Sequence, residues 1–308
     1  MGTNLCGKFN ADDLVEKGLV TKKTYNKGLY KGLSVYKYTR KVFFDNLWGE
    51  DSRLLDCRGI VIDTDYNIIS YPFTKIFNYL ENNTQVLPET FVTCPQKMNG
   101  FLGVASNYKG QLLVSTTGTL DSAYADLAKT VILKDCPNFL PEEGWTLMFE
   151  ICDPSDPHII KEHAGAYLIG IRRNKVGSEL LSEAGLDIIA RHYNFHRPLI
   201  LNSLFSHVLY ESKSVLHEGF MVRDFSTGKT LCKLKSRFYL QKKALQRIGK
   251  SKADFMFNNP SQFKQNLDEE FYALFDYIID SFTKEEYLAL TEQERSELIF
   301  NYFEGNAK

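Results

Sequence analysis

The chain contains a single K-x-x-G sequence, Lys97-Met-Asn-Gly100. With 20 glycines in 308 residues, about one or two such matches would arise by chance, so order and spacing decide its meaning. Upstream stand Arg58-Gly-Ile-Val-Ile-Asp63 and Pro72-Phe-Thr-Lys75-Ile-Phe77. Downstream come Leu147-Met-Phe-Glu150-Ile, Glu218-Gly-Phe-Met-Val222 and Lys233-Leu-Lys235-Ser. Glu150 interrupts an apolar run from Trp145 to Ile151, where a buried carboxylate requires a hydroxyl, a metal or a cation as partner. Side chains alternate along a strand, so Lys233 and Lys235 project from one face and Leu234 from the other. Two neighbouring ammonium groups suit phosphates; the plain alternative is an edge strand blunted by lysines. Gly59 after Arg58 and Gly219 after Glu218 permit close backbone approach to a ligand or tight packing.

Over roughly residues 54–240, this ordered set resembles the covalent nucleotidyltransferases, the superfamily of ATP-dependent DNA and RNA ligases and mRNA capping enzymes. Lys97-Met-Asn-Gly100 resembles their nucleophile motif, Glu150 and Glu218-Gly219 their two acidic strand motifs, and Lys233-Leu-Lys235 their last lysine motif. The Arg58-Gly and Lys75-x-Phe77 elements resemble most the bacteriophage tRNA-repair RNA ligase branch. The resemblance implies an ATP-dependent RNA ligase joining 5′-phosphate and 3′-hydroxyl ends, with RNA as partner and cleaved tRNA as the suggested substrate. It implies Lys97 as the catalytic residue and an ATP-binding set of Arg58, Lys75, Phe77, Gly100, Glu150, Glu218, Gly219, Lys233 and Lys235. Within that set Glu150 would hold the ribose, and Glu218 would also bind the divalent metal, Mg²⁺ or Mn²⁺. A lysine that attacks the α-phosphate of ATP must be neutral, some three units below its reference pKa of about 10.4. A metal ion, Lys233 and Lys235 would depress it.

Two positions depart from that pattern. Asn99 stands where many members have Asp, and Thr117 stands where the phage enzymes carry a lysine before Gly118. Two rival readings follow. One is a DNA ligase or GTP-dependent capping enzyme, which would place an OB barrel after the last lysine motif; residues 236–308 read instead as helices. The other is a catalytically silent, nucleic-acid-binding relative that keeps only the fold. His192 and His196 have a spacing that could place two metal ligands on one helix face, but Pro198 marks a helix end and no third ligand follows. No P-loop or dinucleotide fingerprint is present.

The elements that must position these residues are mostly extended. Strands are expected at Arg58–Asp63, Ile68–Phe73, Phe91–Cys94, Trp145–Ile151 and Ala166–Arg172, with hairpins joining Gly100–Ser106 to Gln111–Thr116 and Glu218–Val222 to Thr230–Lys235. Helices are expected at Ser122–Leu133 with Asp121 as N-cap, at Ser182–Tyr193, Tyr239–Ile248 and Glu269–Phe282, and at Glu292–Tyr302 behind a Thr291-x-x-Glu294 capping box. The expected class is α+β: a nucleotidyltransferase domain over residues 1–240, by resemblance two antiparallel sheets flanked by helices, and a small helical C-terminal domain over 241–308.

Apolar residues at 44% and charged residues at 24% are near globular averages, and no apolar run is long enough to span a membrane. The net charge of −1 hides a split, −7 over residues 251–308 and +6 over the rest. Two basic stretches, Lys22–Lys41 with four interleaved tyrosines and Thr227–Lys250, have the composition of a phosphate-neutralising surface. Six cysteines without a C-x-x-C pair, and a start without an apolar signal segment, suit reduced thiols in a cytoplasm, a host's if the source is viral. No membrane partner is expected, and a monomer is the default.

Overall fold

A computed structural model describes residues 6–156, 158–160, 162–240, 243, 250–265, 267 and 272–303. The helix expected over Tyr239–Ile248, the start of that expected over Glu269–Phe282, and residue 241 at the expected domain boundary fall largely outside them. Twelve strands are described: β1 Val20–Thr24, β2 Ser34–Tyr38, β3 Arg58–Ile62, β4 Ile68–Ser70, β5 Phe91–Pro95, β6 Phe101–Tyr108, β7 Gln111–Ser115, β8 Trp145–Cys152, β9 Gly165–Arg173, β10 Ile200–Leu204, β11 Gly219–Asp224 and β12 Thr230–Lys235. They form three antiparallel four-stranded sheets, in orders β1-β2-β3-β4, β7-β6-β8-β9 and β10-β5-β11-β12. The class is α+β as expected, with one sheet more than the two expected.

Contacts divide the chain into two compact units, 1–76 with 98–199 and 226–229, and 77–97 with 200–225 and 230–308. The C-terminal helices therefore cluster with the β10-β5-β11-β12 sheet.

The first unit holds two sheets. The β6–β7 hairpin turns on Lys109 and Gly110, both at positive φ, the geometry that a two-residue hairpin turn demands. The helix Ala123–Asp135 and the helix Glu183–Tyr193 pack apolar stripes on the β6-β8-β9 face, burying Ala128, Val131, Ile132, Leu186 and Ala190 with Phe149, Ile151 and Leu168. Each large side chain buried there is worth roughly 1.5–3 kcal/mol. The N-cap of the first helix is Ser122, whose hydroxyl accepts from the Ala125 amide; Asp121 is drawn instead to Lys23 and Tyr25. Strands β1 and β2 had not been expected, because Lys22–Lys41 reads as a basic stretch. Tyr25 and Tyr36 are buried, and Lys22 and Lys23 pair with Asp12 and Asp121, so this stretch builds sheet and core rather than a stacking face.

The second unit packs Val92, Cys94, Phe220, Val222, Cys232 and Leu234 from its sheet against Phe205 and Val208 of the helix Phe205–Glu211. Beyond Lys235 the described residues are helical, at Lys250–Asn258, Pro260–Gln265, Tyr272–Ser281, Lys284–Ala289 and Glu292–Phe303. The expected capping box is formed: Thr291 Oγ1 accepts from the Glu294 amide while Glu294 accepts from the Thr291 amide. Thr283 and Glu286 form a second.

All six cysteines are free thiols, and burial pushes Cys57, Cys94 and Cys232 up to about 12. Among the described residues no helix is long and apolar enough to cross a membrane.

Candidate active site

In the second unit, the positions of Lys97, Glu218, Gly219, Lys233 and Lys235 follow from β-pairing. An isolated bridge joins Gln96 to Phe220, and the Lys97 amide donates to the Gly219 carbonyl at 2.8 Å, so Lys97 leaves β5 beside the start of β11. In the β11–β12 register Gly219 faces Lys235 and Met221 faces Lys233. Gly219 has φ +133°, and a Cβ built there would lie 2.1 Å from the Leu234 carbonyl oxygen, so no side chain fits.

This pairing brings two lysines onto one carboxylate oxygen. Lys97 Nζ lies 2.8 Å from Glu218 Oε1, and Lys235 Nζ lies 3.1 Å from the same atom. The Glu218 and Lys235 side chains are 2% and 6% exposed, while Lys97 keeps 19%. Burial alone would raise the Glu218 pKa, but Lys97 and Lys235 overcome it and hold the carboxyl at about 2. Lys235 is pushed well below the ordinary lysine value, first by burial and then by the positive charges of Lys97, Lys243 and Lys233, with Glu218 opposing. Lys233 is also buried, whereas Leu234 turns into the apolar core. The strand is at a sheet edge, but its lysines do not blunt it toward water; that edge is lined by Phe77–Tyr79. The Lys233 amide donates to the Phe77 carbonyl, the Tyr79 amide donates to the Lys233 carbonyl, and Asn78 bridges Lys233 in parallel.

Two members of this group were not anticipated. Tyr239 lies beneath Lys235, whose Nζ is 4.7 Å from the ring centroid, and its hydroxyl accepts from Lys243 Nζ at 3.2 Å. Lys243 is 1% exposed. Only the four-residue spacing of Tyr239 and Lys243 within the expected helix was an available signal; Lys235 belongs to β12.

In the first unit, Gly100 and Glu150 come together: the Gly100 amide donates to Glu150 Oε1 at 3.0 Å, supplying a partner for the carboxylate in an apolar strand. A Cβ on Gly100 would meet the Ile151 carbonyl oxygen at 2.1 Å. Asn99 is buried and closes the loop that follows β8. Its side-chain Oδ1 accepts from the Ile160 amide at 2.8 Å, and its backbone N–H donates to Glu162. Lys75 is 6% exposed, with its ammonium 4.7 Å from the Phe43 ring and 5.2 Å from Trp48, a cation–π cage worth about 1–2 kcal/mol. Arg58 is half-buried at the start of β3.

Among the described residues no three His, Cys, Asp or Glu side chains gather as a metal site. The helix carrying His192 ends at Tyr193, with Asn194 in the left-handed region, so His196 lies beyond it, 3.9 Å from Asp135.

Residues 56–267 match the RNA ligase family model, more than two thirds of the chain. The chain belongs to the RNA ligase family. No curated protein matches it. An archaeal ATP-dependent RNA ligase shares its fold with a TM-score of 0.58 at 15% identity, over 96% of this chain and 76% of that one. A putative ATP-dependent DNA ligase from Aquifex aeolicus does so with 0.55 at 16% identity and the same coverage. This RNA ligase thus shares the fold of those two ligases.

Proposed function

We propose that this RNA ligase uses ATP to seal 5′-phosphate and 3′-hydroxyl RNA ends through a covalent lysyl-AMP on Lys97, in the repair of cleaved RNA such as tRNA. The observation that supports this most directly is the Lys97–Glu218–Lys235 cluster, a nucleophilic amine held beside the strand that carries Lys233 and Lys235. In the resting protein Glu218 engages Lys97 as an ammonium; attack requires that amine to be released and to lose its proton. The Lys97 nitrogen then bonds to the α-phosphorus as the bond to pyrophosphate breaks. An RNA 5′-phosphate oxygen next displaces Lys97 from that phosphorus, and attack by the 3′-hydroxyl expels AMP.

On this reading Arg58, Lys75, Lys233 and Lys235 stabilise charge on the phosphates. Glu150 holds the ribose, Phe77 supports the pocket, and Gly100 and Gly219 leave room for the nucleotide. Glu218 is a carboxylate that a Mg²⁺ or Mn²⁺ ion can share, and with no all-protein cluster among the described residues such an ion would take most of its oxygens from phosphates and water. A bound ion would supply Lewis-acid stabilisation of the phosphates. Residues 1–240 would act as the nucleotidyltransferase module and 241–308 as a helical accessory.

Transfer of label from the α-phosphate of ATP to the protein tests this. Acid-labile label in the parent, lost in Lys97→Ala, is expected. Label from GTP alone would indicate capping chemistry, and none from either nucleotide in folded protein would leave a binding module.

A further inference from the structure

Lys37 and Arg58 stand directly opposite each other in the β2–β3 register. Residues so paired project from the same face with Cβ atoms roughly 5 Å apart, where like charges destabilise a sheet. Neither side chain has an ion-pair partner among the described residues; Lys37 is exposed and Arg58 half-buried. Two cations so placed without a carboxylate form a site that a bound anion would stabilise.

The backbone around them is shaped to leave space. Gly59 is the extra residue of a bulge between the Tyr36–Ile60 and Lys37–Arg58 pairs, at φ +98°, and a Cβ there would lie 3.0 Å from Thr117 Cα. The Lys37 chain runs over Gly118: a Cβ on that glycine would sit 3.4 Å from Lys37 Cδ and 3.5 Å from Nζ. The ammonium of Lys37 therefore lies close to Gly118, next to the position where this chain has threonine and the resembled enzymes have lysine.

We propose that Lys37 is a phosphate-binding residue that acts with Arg58 on the pyrophosphate portion of ATP, supplying from β2 the cation that Thr117 does not. This rests on the ligase reading, because it takes Arg58 as a triphosphate ligand. Two linked phosphates offer oxygens to both cations at once, each through a charge-assisted hydrogen bond. The same chemistry could come from the RNA backbone, so the experiment separates the two.

In full-length protein, lysyl-AMP formation would be followed against ATP concentration, and its reversal against pyrophosphate. Lys37→Ala is expected to raise both half-maximal concentrations by roughly tenfold or more, Lys37→Arg to stay near the parent, and Thr117→Lys to restore part of the loss in Lys37→Ala. A Lys37→Ala protein with parental ATP and pyrophosphate dependence overturns the proposal. So does a defect confined to AMP transfer onto 5′-phosphate RNA, which would assign the pair to the RNA backbone. Calorimetric binding of inorganic tripolyphosphate separates this from failure of the ligase reading. If the parent takes no label, tripolyphosphate binding weakened by Lys37→Ala still supports the phosphate site, and no binding by the parent overturns it.

Discussion

Glu218 is almost wholly removed from water, yet its pKa lies at about 2 because two ammonium groups converge on one oxygen. Its folded-state pKa is below the unfolded value of about 4.3, so the unfolded chain binds more protons between those limits. The stabilisation is full above about pH 4.5 and is lost as pH falls toward 2, on the order of 3 kcal/mol in all. Glu218→Gln should therefore flatten the fall in melting temperature between pH 4.5 and 2. A fall as steep as the parent's would assign that acid sensitivity elsewhere. Lys235 works in the other sense: with a depressed pKa, its charge opposes folding at low pH, and stability rises as pH climbs from the folded value toward about 10.4. The side chains on one face of β12 were legible from alternation alone. That Tyr239 sits between Lys235 and Lys243 was not, because a cation–π contact leaves no mark on composition.

Glycine at 219 and glycine at 100 are set by the strands they touch. Each has a carbonyl oxygen 2.1 Å from where a Cβ would stand, Leu234 for one and Ile151 for the other. Gly219→Ala must move β12 away from β11 and so separate Lys235 from Glu218. It is expected to reduce lysyl-AMP formation by at least tenfold while a cooperative melt, lowered by about 1–3 kcal/mol, remains. Retained labelling would mean that the β11–β12 register does not matter to the site. Hairpins with strong turn residues, β6–β7 and β11–β12, were readable because glycine marks the bend and apolar residues flank it. Strands β1 and β2 were not, since Lys22, Lys23 and Lys37 punctuate them and the buried Tyr36 of β2 looks amphipathic in either role. The choice of Ser122 over Asp121 as cap depended on Lys23, about a hundred residues away in sequence, which no local pattern contains.

At the scale of the molecule, the chain passes between its two units at 76/77, 97/98, 199/200, 225/226 and 229/230. Composition marked a change near residue 250, but these passages leave no compositional trace, because each unit is assembled from distant segments. Strand β5 is an interior strand whose neighbours, β10 and β11, both lie beyond residue 199. A fragment of residues 1–199 is expected to lose hydrogen-exchange protection at residues 91–95, where the full chain retains it. Equal protection in the fragment would show that β5 has another way to satisfy its backbone. The segment Phe77–Tyr79, which occupies the outer edge of β12, reaches its place only once that edge exists. Until then β12 offers a row of unsatisfied amides and carbonyls to any other extended chain. The same three residues that complete the lysine strand thus also cover an edge to which another extended chain could otherwise add.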